Sequence, residues 1–429
     1  MRLQPFTPGF YALRDDAPVA TRVVSAILVA SVVYQAVLAF VHTHFFRTSA
    51  FSVAAAEFLI YLACLAVLAK RIRMEFVAFV ALVFAYLLLL SIFRNALEVK
   101  GLRDAMIPLL FYWLGRHVGD VGYADRLLKI LVGIVLAFAF FELLFLDYYT
   151  YLLNIFSYYA STGTVTISAN FIRDSTLNLN GMRPAGIGRT ILPDLLGSHR
   201  VSSVFLEPVS LGNFSVIVAA WGLSKPRQEY RQMLFFVVAA MVLVALSDSR
   251  YGLIVLSGLI AMRMIVPERL NAATMVLPFV SLVVLVLIGL FFDGRLADNI
   301  MGRLFWTGST LLSFNVEKLF GIQGFDIGYG DMGYAYLLSR WGVLLCIVLW
   351  SALWLMRMKG EAGRRFRAYV ALYISLILTI SGTSFFALKT AGLLWFLMGS
   401  YSSPNTRRAS LAVDAQRSGA LDARLSHAN

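Results

Sequence analysis

The sequence predicts an all-α polytopic membrane protein with about 12 transmembrane helices and two long loops on one side of the membrane. Of its 429 residues, 59% are hydrophobic and only 14% are charged, whereas a soluble domain carries roughly 25% charged residues. Apolar runs of about spanning length recur along the chain, and basic residues concentrate in alternate connections between these runs. The composition therefore excludes a set of soluble domains.

Twelve apolar segments approach the length that crosses a bilayer. The fourth is the weakest, because it contains Arg103, Asp104 and Pro108. The eleventh and twelfth are nearly continuous and are separated only by a Ser-Gly-Thr-Ser sequence. The segments cover residues 22–41, 50–69, 74–93, 102–117, 127–146, 205–223, 233–246, 251–266, 272–292, 333–356, 366–380 and 385–400.

Lysine and arginine set the predicted orientation. Connections rich in these residues stay on the cytoplasmic side of a membrane. Most of the 37 basic residues lie near the chain ends or in the connections 70–73, 116–129, 225–231, 263–269 and 357–367. These connections alternate with poorer ones, so we expect both termini to be cytoplasmic and loops 147–204 and 293–332 to lie outside.

The two outer loops are predicted to carry function, because long loops in compact proteins are usually functional or disordered. The first contains a tyrosine tract, residues 148–159, which is typical of a membrane-interface helix or of a surface that stacks sugars. Residues 303–319 alternate apolar and polar residues at helical spacing, which predicts a helix on the outer membrane surface. We expect one transmembrane domain over residues 1–400 and a disordered cytoplasmic tail over 401–429.

Several motifs of well-known enzymes do not occur in the chain. It has no Gly-x-x-x-x-Gly-Lys-Ser/Thr phosphate loop, no Asp-x-Asp pair and no Gly-x-Ser-x-Gly sequence. Its five histidines are not spaced as metal ligands. Its basic residues are scattered between the apolar segments, which indicates topology rather than nucleic-acid binding. We therefore expect no metal, no cofactor and no nucleic-acid partner.

Charged residues instead gather at the predicted outer ends of the spans. Several arginines beside a carboxylate suit a phosphorylated ligand, because guanidinium groups bind phosphate oxygens bidentately. Arg200 and Glu207 would share a face if the chain between them were helical, although Pro208 disfavours this. Two structural alternatives remain open: arginines that reach lipid head groups, and a static ion pair of Arg340 with Glu207 or Asp331. The candidates are Arg189, His199, Arg200, Glu207, Arg250, Arg303, Asp331, Tyr334, Arg340 and Lys389.

Three short motifs resemble, in their order, the O-antigen polymerase and ligase superfamily of bacterial envelopes. They are Arg-Val-Ser-Ser-Val-Phe-Leu-Glu-Pro-Val-Ser-Leu-Gly at 200–212, Ser-Arg-Tyr-Gly at 249–252, and the stretch 324–342 from Gly-Phe-Asp-Ile-Gly to Arg-Trp-Gly. The Phe-Leu-Glu-Pro form is most similar to exopolysaccharide polymerases, including the xanthan type. Ligases carry a histidine where this chain has Asp331, which favours a polymerase.

The resemblance implies a GT-C-like helical fold in the bacterial inner membrane and a metal-independent, inverting glycosyltransferase of the Wzy type. Its substrates would be undecaprenyl-diphosphate-linked oligosaccharide repeats, which it would join at the periplasmic face during exopolysaccharide biosynthesis. Arg200, Arg250 and either Arg303 or Arg340 would bind the diphosphate, and Glu207 or Asp331 would deprotonate the acceptor hydroxyl.

The remaining candidates, Arg189, His199, Tyr334 and Lys389, would contact substrate, and apolar grooves between helices would hold the prenyl chains. The partners implied are the lipid-linked oligosaccharide and membrane lipid, and a chain-length regulator or export complex stays open. The alternatives are a ligase-like lipid-diphosphate glycosyltransferase and a flippase or other transporter. A transporter would place its charges near the midplane in two related halves, whereas no internal repeat is visible here.

Overall fold

The computed structural model describes residues 17–69, 74–164, 177, 181, 189–292, 300–323 and 327–402. Within these ranges the chain forms helices and short turns, and no strand. The helices are α1 (Ala17–His44), α2 (Ala50–Ala69), α3 (Met74–Arg94), α4 (Val99–Val118), α5 (Val121–Leu144), α6 (Leu146–Leu152), α7 (Ile155–Ser161), α8 (Pro193–Leu196), α9 (Pro208–Ser224), α10 (Tyr230–Ser247), α11 (Arg250–Ile265), α12 (Leu277–Phe291), α13 (Ile300–Leu312), α14 (Val316–Leu319), α15 (Gly333–Leu355), α16 (Gly360–Ile377) and α17 (Leu388–Ser402).

Seven helices in the described ranges are long and apolar enough to cross a membrane, namely α1, α2, α3, α5, α10, α12 and α15. Large apolar side chains on their outer faces are exposed, among them Phe58 of α2, Leu82 of α3 and Val283 of α12. Extended apolar surface on helices whose backbone groups are paired internally is what a bilayer accommodates. The fold is therefore that of a multi-pass helical membrane protein.

The five other predicted spans are also helices, α4, α9, α11, α16 and α17, but none is both long and apolar enough to meet the same criterion. The helices α9 and α17 lie in the centre of the bundle. Every residue of α9 except Val209 is buried, and α17 is buried from Leu388 to Tyr401. The predicted total of 12 spans stays a prediction.

Two glycines bring α4 and α17 into backbone contact. A Cβ atom on Gly115 would lie 2.0 Å from the carbonyl oxygen of Phe396, and one on Gly399 would lie 2.0 Å from that of Tyr112. Small residues permit such close crossings inside a membrane. The crossing holds α17 in the core and fixes the position of Lys389 at the start of that helix.

Contacts between helix ends define two ends of the bundle. At the end that we call the site end, α5 and α10 finish while α9, α11 and α17 begin, and the long connections after α5 and α12 emerge there. At the opposite end, α9 and α17 finish together, with the hydroxyls of Ser224 and Tyr401 3.2 Å apart. The basic connections of the sequence lie at this opposite end.

The first long connection differs from its prediction. The tyrosine tract forms two short helices, α6 and α7, in which Tyr149, Tyr158 and Tyr159 are buried while Tyr148 and Tyr151 are exposed. The tract is therefore neither one amphipathic helix nor a continuous aromatic face.

A second difference concerns the segment before Glu207. Residues Ser203–Phe205 form a single 3-10 turn, and Leu206 adopts a positive φ of 60°. The prediction that Arg200 and Glu207 could share one helical face is wrong, because the chain is turned rather than helical between them.

Two further predictions concern the remaining segments. The helix predicted within 303–319 is present as α13 and α14, and α13 packs along α12. Helix α17 extends to Ser402, two residues into the predicted tail. Residues 403–429, and residues 324–326 of the third motif, lie outside the described part of the chain.

Candidate functional site

The carboxylate of Glu142, at the end of α5, holds the segment that leads to the site. It accepts hydrogen bonds from the backbone N–H groups of Ser202 and Ser203, at 2.9 Å and 2.6 Å. His199 lies 3.0 Å from it through Nε2. Glu142 is completely buried, and a buried carboxylate needs such a set of donors to remain charged. Glu142 therefore fixes the course of the chain between His199 and Glu207.

The C-terminus of α10 binds two of the predicted arginines. Arg189 donates to the carbonyl groups of His199, Ala245 and Leu246, and the Nε atom of Arg200 donates to Ser247 O at 3.2 Å. Both arginines are buried. The last carbonyls of a helix lack partners within the helix and carry partial negative charge, so guanidinium groups stabilise them.

Asp248 completes this corner from the other side of the α10 terminus. It ends α10 in the left-handed conformation, and its Oδ1 atom accepts the backbone N–H groups of Thr190 and Ile191, each at 2.9 Å. The Nε atom of Arg250 donates to the Thr190 hydroxyl at 2.6 Å. Arg250 is only partly buried, and the hydroxyl of Thr190 is the one protein group that the described residues offer it.

Gly212 brings the first two sequence motifs together. A Cβ atom at Gly212 would lie 2.3 Å from the Ser249 hydroxyl, so a larger residue would separate α9 from the start of α11. Ser249 caps α11 by accepting the N–H group of Gly252 at 3.0 Å. This contact places Arg250 beside the second turn of α9, one turn beyond Glu207.

Glu207 and Lys389 form an ion pair at the start of α9 and α17. The Lys389 Nζ atom lies 3.1 Å from Glu207 Oε2, 2.9 Å from the carbonyl oxygen of Phe205 and 2.7 Å from Gln35 Oε1. Ser210 donates to the same carboxylate oxygen at 2.9 Å. Lys389 is 4% exposed, whereas the Glu207 side chain is 31% exposed. The lysine is thus fixed, and the carboxylate remains open to a ligand.

Two buried tyrosines line the Glu207 side of the site. The phenol oxygens of Tyr158 and Tyr159, on α7, are buried without a hydrogen-bond partner in the described ranges. Both lie in the electrostatic field of Glu207. Buried polar groups are normally hydrogen-bonded, so these two hydroxyls are available to a hydroxyl-rich ligand that reaches Glu207.

Arg340 belongs to a second cluster on the other side of the α17 start. Its guanidinium pairs with Glu98 and stacks on the Tyr336 ring, with 4.3 Å between the guanidinium carbon and the ring centroid. Arg94 shares Glu98 at 2.9 Å and donates to the Arg340 carbonyl at 2.8 Å. The predicted pairing of Arg340 with Glu207 or Asp331 is therefore wrong, because Glu98 is closer and equally buried.

A chain of polar contacts joins the two clusters across α1, α2, α4 and α15. Each member donates to or accepts from the next, which indicates one continuous polar layer at the site end. The contacts are Lys389–Gln35 (2.7 Å), Gln35–Tyr34 (3.3 Å), Tyr34–Glu57 (2.8 Å), Glu57–Arg103 (3.5 Å), Arg103–Asp104 (2.7 Å) and Asp104–Tyr336 (2.7 Å).

Three other predicted residues lie away from Glu207. Asp331 is 3.9 Å from Arg303 in a half-exposed ion pair. Tyr334 is buried and donates to the Ser375 carbonyl at 3.2 Å. The contacts of these residues place them on the α13 and α16 side of the site end, so no described contact joins them to Glu207.

A large apolar cavity of about 610 Å³ separates α3 and α4 from α12 and α15. At the site end it is bounded by Tyr334 and Trp341, and at the opposite end by Arg116 and Arg357. Cavities of this size accommodate a small ligand or an alkyl chain. The predicted apolar groove between helices is thus present.

Sequence reasoning overlooked the carboxylates that organise the site. Glu57, Glu98, Asp104 and Glu142 each hold a positive group or a backbone turn. The signal was present in the sequence, because acidic residues inside apolar segments are costly and rarely without a role. Their partners, however, are distant in sequence.

The described residues contain no group of histidine, cysteine, aspartate or glutamate side chains that could hold a metal ion. The chain has no match among protein-family models, curated proteins or solved structures.

Proposed function

We propose that the protein is a polysaccharide polymerase that joins lipid-diphosphate-linked oligosaccharide repeats at the site end. The observation that carries the proposal is the position of Glu207. Its carboxylate is one-third exposed and held by a buried lysine, and the arginine-rich terminus of α10 lies alongside. A carboxylate and cations in this relation suit the transfer of a sugar from a diphosphate to a hydroxyl group.

In the proposed reaction, the acceptor hydroxyl oxygen attacks the anomeric carbon of the donor sugar. The bond between that carbon and the diphosphate oxygen breaks, and the lipid diphosphate leaves with the electron pair. The acceptor proton passes to Glu207. A single displacement inverts the anomeric configuration, and the diphosphate is a sufficient leaving group without a metal ion or nucleotide.

Arg250 is the residue that we assign to the donor diphosphate. It is the predicted arginine whose guanidinium is least engaged by described protein groups, with one hydrogen bond to Thr190. Arg189 and Arg200 bind carbonyl groups of α10 and therefore shape the pocket around the diphosphate. The positive charge of all three stabilises the negative charge that develops on the leaving oxygen.

Lys389 and the tyrosines of α7 complete the proposed site. The ammonium group of Lys389 stabilises the ionised form of Glu207, which is the form that accepts a proton. The free phenol oxygens of Tyr158 and Tyr159 would bind sugar hydroxyls next to the reacting carbon. Glu207 is favoured over Asp331 as the base, because the pair of Asp331 with Arg303 lies apart from this group.

Arg340 takes a different role from the predicted one. It is held by Glu98 and Tyr336, so we assign it to the framework that supports the start of α15. Arg103 and Lys100 are the more exposed cations of that cluster. They would attract the diphosphate of a second lipid-linked substrate, as a polymerase with a donor and an acceptor requires.

The proposal includes a membrane arrangement. Twelve helices would span the bacterial inner membrane in a GT-C-like bundle, with the basic opposite end in the cytoplasm and the site end in the periplasm. The supporting observation is that the predicted basic connections gather at one end of the bundle and both long connections at the other.

The substitution Arg250→Ala tests the proposal. Loss of one preorganised donor to the developing charge lowers such rates by about 10²–10³-fold, so cells should accumulate single repeats on the lipid carrier and lose polymer. Arg231→Ala is the matched control, since Arg231 is an exposed arginine at the opposite end. Polymer of normal length from the Arg250→Ala protein would contradict the assignment.

A reconstituted assay separates this function from its rivals. Purified protein in detergent micelles, supplied only with lipid-linked repeats, should produce a ladder of polymer lengths. A flippase cannot do so, because micelles have no compartments. A ligase-like transferase would yield no ladder but would transfer single repeats to added lipid A core.

A further inference from the structure

The apolar cavity ends against basic side chains at the opposite end of the bundle. Its walls come from α3, α4, α12 and α15, and residues such as Phe79, Trp113, Phe279 and Leu349 line it. Arg116 and Arg357 border the cavity at the end of α4 and just after α15. An apolar compartment bounded by arginines is the arrangement expected for a lipid with a charged head group.

Arg116 has hydrogen-bonding capacity that the protein leaves unused. Its guanidinium lies over the Trp113 ring, 4.5 Å from the centroid, and one terminal nitrogen is 3.4 Å from Glu75 Oε2. The Glu75 side chain is 69% exposed, so this ion pair is weak. The buried Nε atom of Arg116 has no hydrogen-bond partner among the described residues, although buried donors are normally satisfied.

Lys359 adds a third cation close to Arg116. It follows Arg357 by two residues and is half-buried at the start of α16. Burial, together with the charge of Arg116, lowers the pKa of Lys359 to about 8. Positive groups that depress one another's protonation in this way are stabilised by a bound anion.

We propose that this end of the cavity binds the head-group phosphate of an anionic phospholipid, with an acyl chain of that lipid in the cavity. Arg116, Arg357 and Lys359 would surround the phosphate, and the apolar walls would contact the chain. A lipid is favoured over free phosphate, because the cations open directly onto an apolar cavity of about 610 Å³. The inference does not depend on the proposed enzymatic function.

The test uses full-length protein in nanodiscs that contain either phosphatidylcholine alone or phosphatidylcholine with phosphatidylglycerol. Native mass spectrometry would count retained lipids, and thermal unfolding would report stabilisation. The wild type should retain phosphatidylglycerol and unfold at a higher temperature in its presence. Loss of two head-group contacts in the double variant Arg357→Gln, Lys359→Gln should raise the dissociation constant roughly thirtyfold.

Two further variants isolate the parts of the site. Arg231→Gln removes an exposed charge at the same end but away from the cavity, and it should bind phosphatidylglycerol like the wild type. Ala352→Trp fills the cavity, since Ala352 lines it, and it should lose the lipid although all three cations remain. Equal binding by Ala352→Trp would show that no acyl chain enters the cavity and would overturn the proposal.

The remaining outcomes are also decisive. Equal stabilisation by both nanodisc compositions would mean that the cations do not select an anionic head group. Stabilisation by inorganic phosphate alone, at the same concentration, would reassign the cations to a soluble anion. Displacement of phosphatidylglycerol by equimolar polyprenyl phosphate would reassign the cavity to the isoprenoid carrier. Each of these results contradicts the proposed phospholipid.

Discussion

Two lysine–carboxylate pairs at the two ends of the bundle look alike and differ in one respect. At the opposite end, Lys225 Nζ lies 2.5 Å from Asp125 Oδ2, and at the site end Lys389 Nζ lies 3.1 Å from Glu207 Oε2. Both lysines are buried. The Asp125 side chain is 10% exposed, whereas that of Glu207 is 31% exposed. One pair is closed and the other is open.

The neighbours of each pair explain the difference. Asp125 also accepts the indole N–H group of Trp221 at 2.6 Å, and the Trp221 ring stacks near Tyr401 with 4.7 Å between the centroids. Aromatic rings therefore cover the closed pair. The carboxylate of Glu207 instead faces the site end, where the segment before α9 is held away by Glu142. Similar chemistry thus serves to join helices at one end and to present a reactive group at the other.

The closed pair should show the largest effect on stability. Replacement of Asp125 by Ala leaves the buried Lys225 ammonium without its carboxylate, which should lower the free energy of unfolding by about 3–5 kcal/mol. Unfolding in mixed micelles, followed by tryptophan fluorescence, measures this loss. The double variant Asp125→Leu, Lys225→Met removes both charges and should recover most of the stability; if the single variant is as stable as the wild type, the pair does not join the helices.

Glu142 should show an intermediate effect. In Glu142→Gln the amide nitrogen must face one of the N–H groups of Ser202 or Ser203, so at least one charge-assisted hydrogen bond is lost. We expect the free energy of unfolding to fall by about 1.5–3 kcal/mol and transfer activity to fall as the segment before Glu207 shifts. The control Glu317→Gln alters an exposed carboxylate beyond α13 and should leave both measurements unchanged. Activity equal to the wild type in Glu142→Gln would show that the segment holds its course without this carboxylate.

The sequence predicted the helices better than it predicted the site. Apolar length located all 12 segments as helices, because hydrophobicity over a window depends on local composition. The positions of Arg250 and Lys389 at the starts of α11 and α17 also followed from segment boundaries. Local composition could not show which helices lie in the centre, since α9 and α12 are similarly apolar but only α9 is buried.

Partnerships between distant residues account for the rest. Arg340 pairs with Glu98, 242 positions earlier, and Lys389 with Glu207, 182 positions earlier. A single sequence carries no information on which carboxylate meets which cation, because pairing depends on how the helices pack. The turn at Leu206 escaped prediction for a related reason: its positive φ follows from the anchoring of Ser202 and Ser203 on Glu142.

The open pair should show the smallest effect on stability and a large effect on activity. In Glu207→Gln, Lys389 keeps its contacts with Gln35 and the Phe205 carbonyl, and solvent reaches the amide, so the free energy of unfolding should change by no more than about 1 kcal/mol. If Glu207 is the general base, polymer formation should fall by about 10²–10⁴-fold. The shorter acid in Glu207→Asp would keep the charge but withdraw it from the acceptor, and it should retain partial activity. A Glu207→Gln protein that is strongly destabilised but fully active would place Glu207 with Asp125, as a residue that only joins helices.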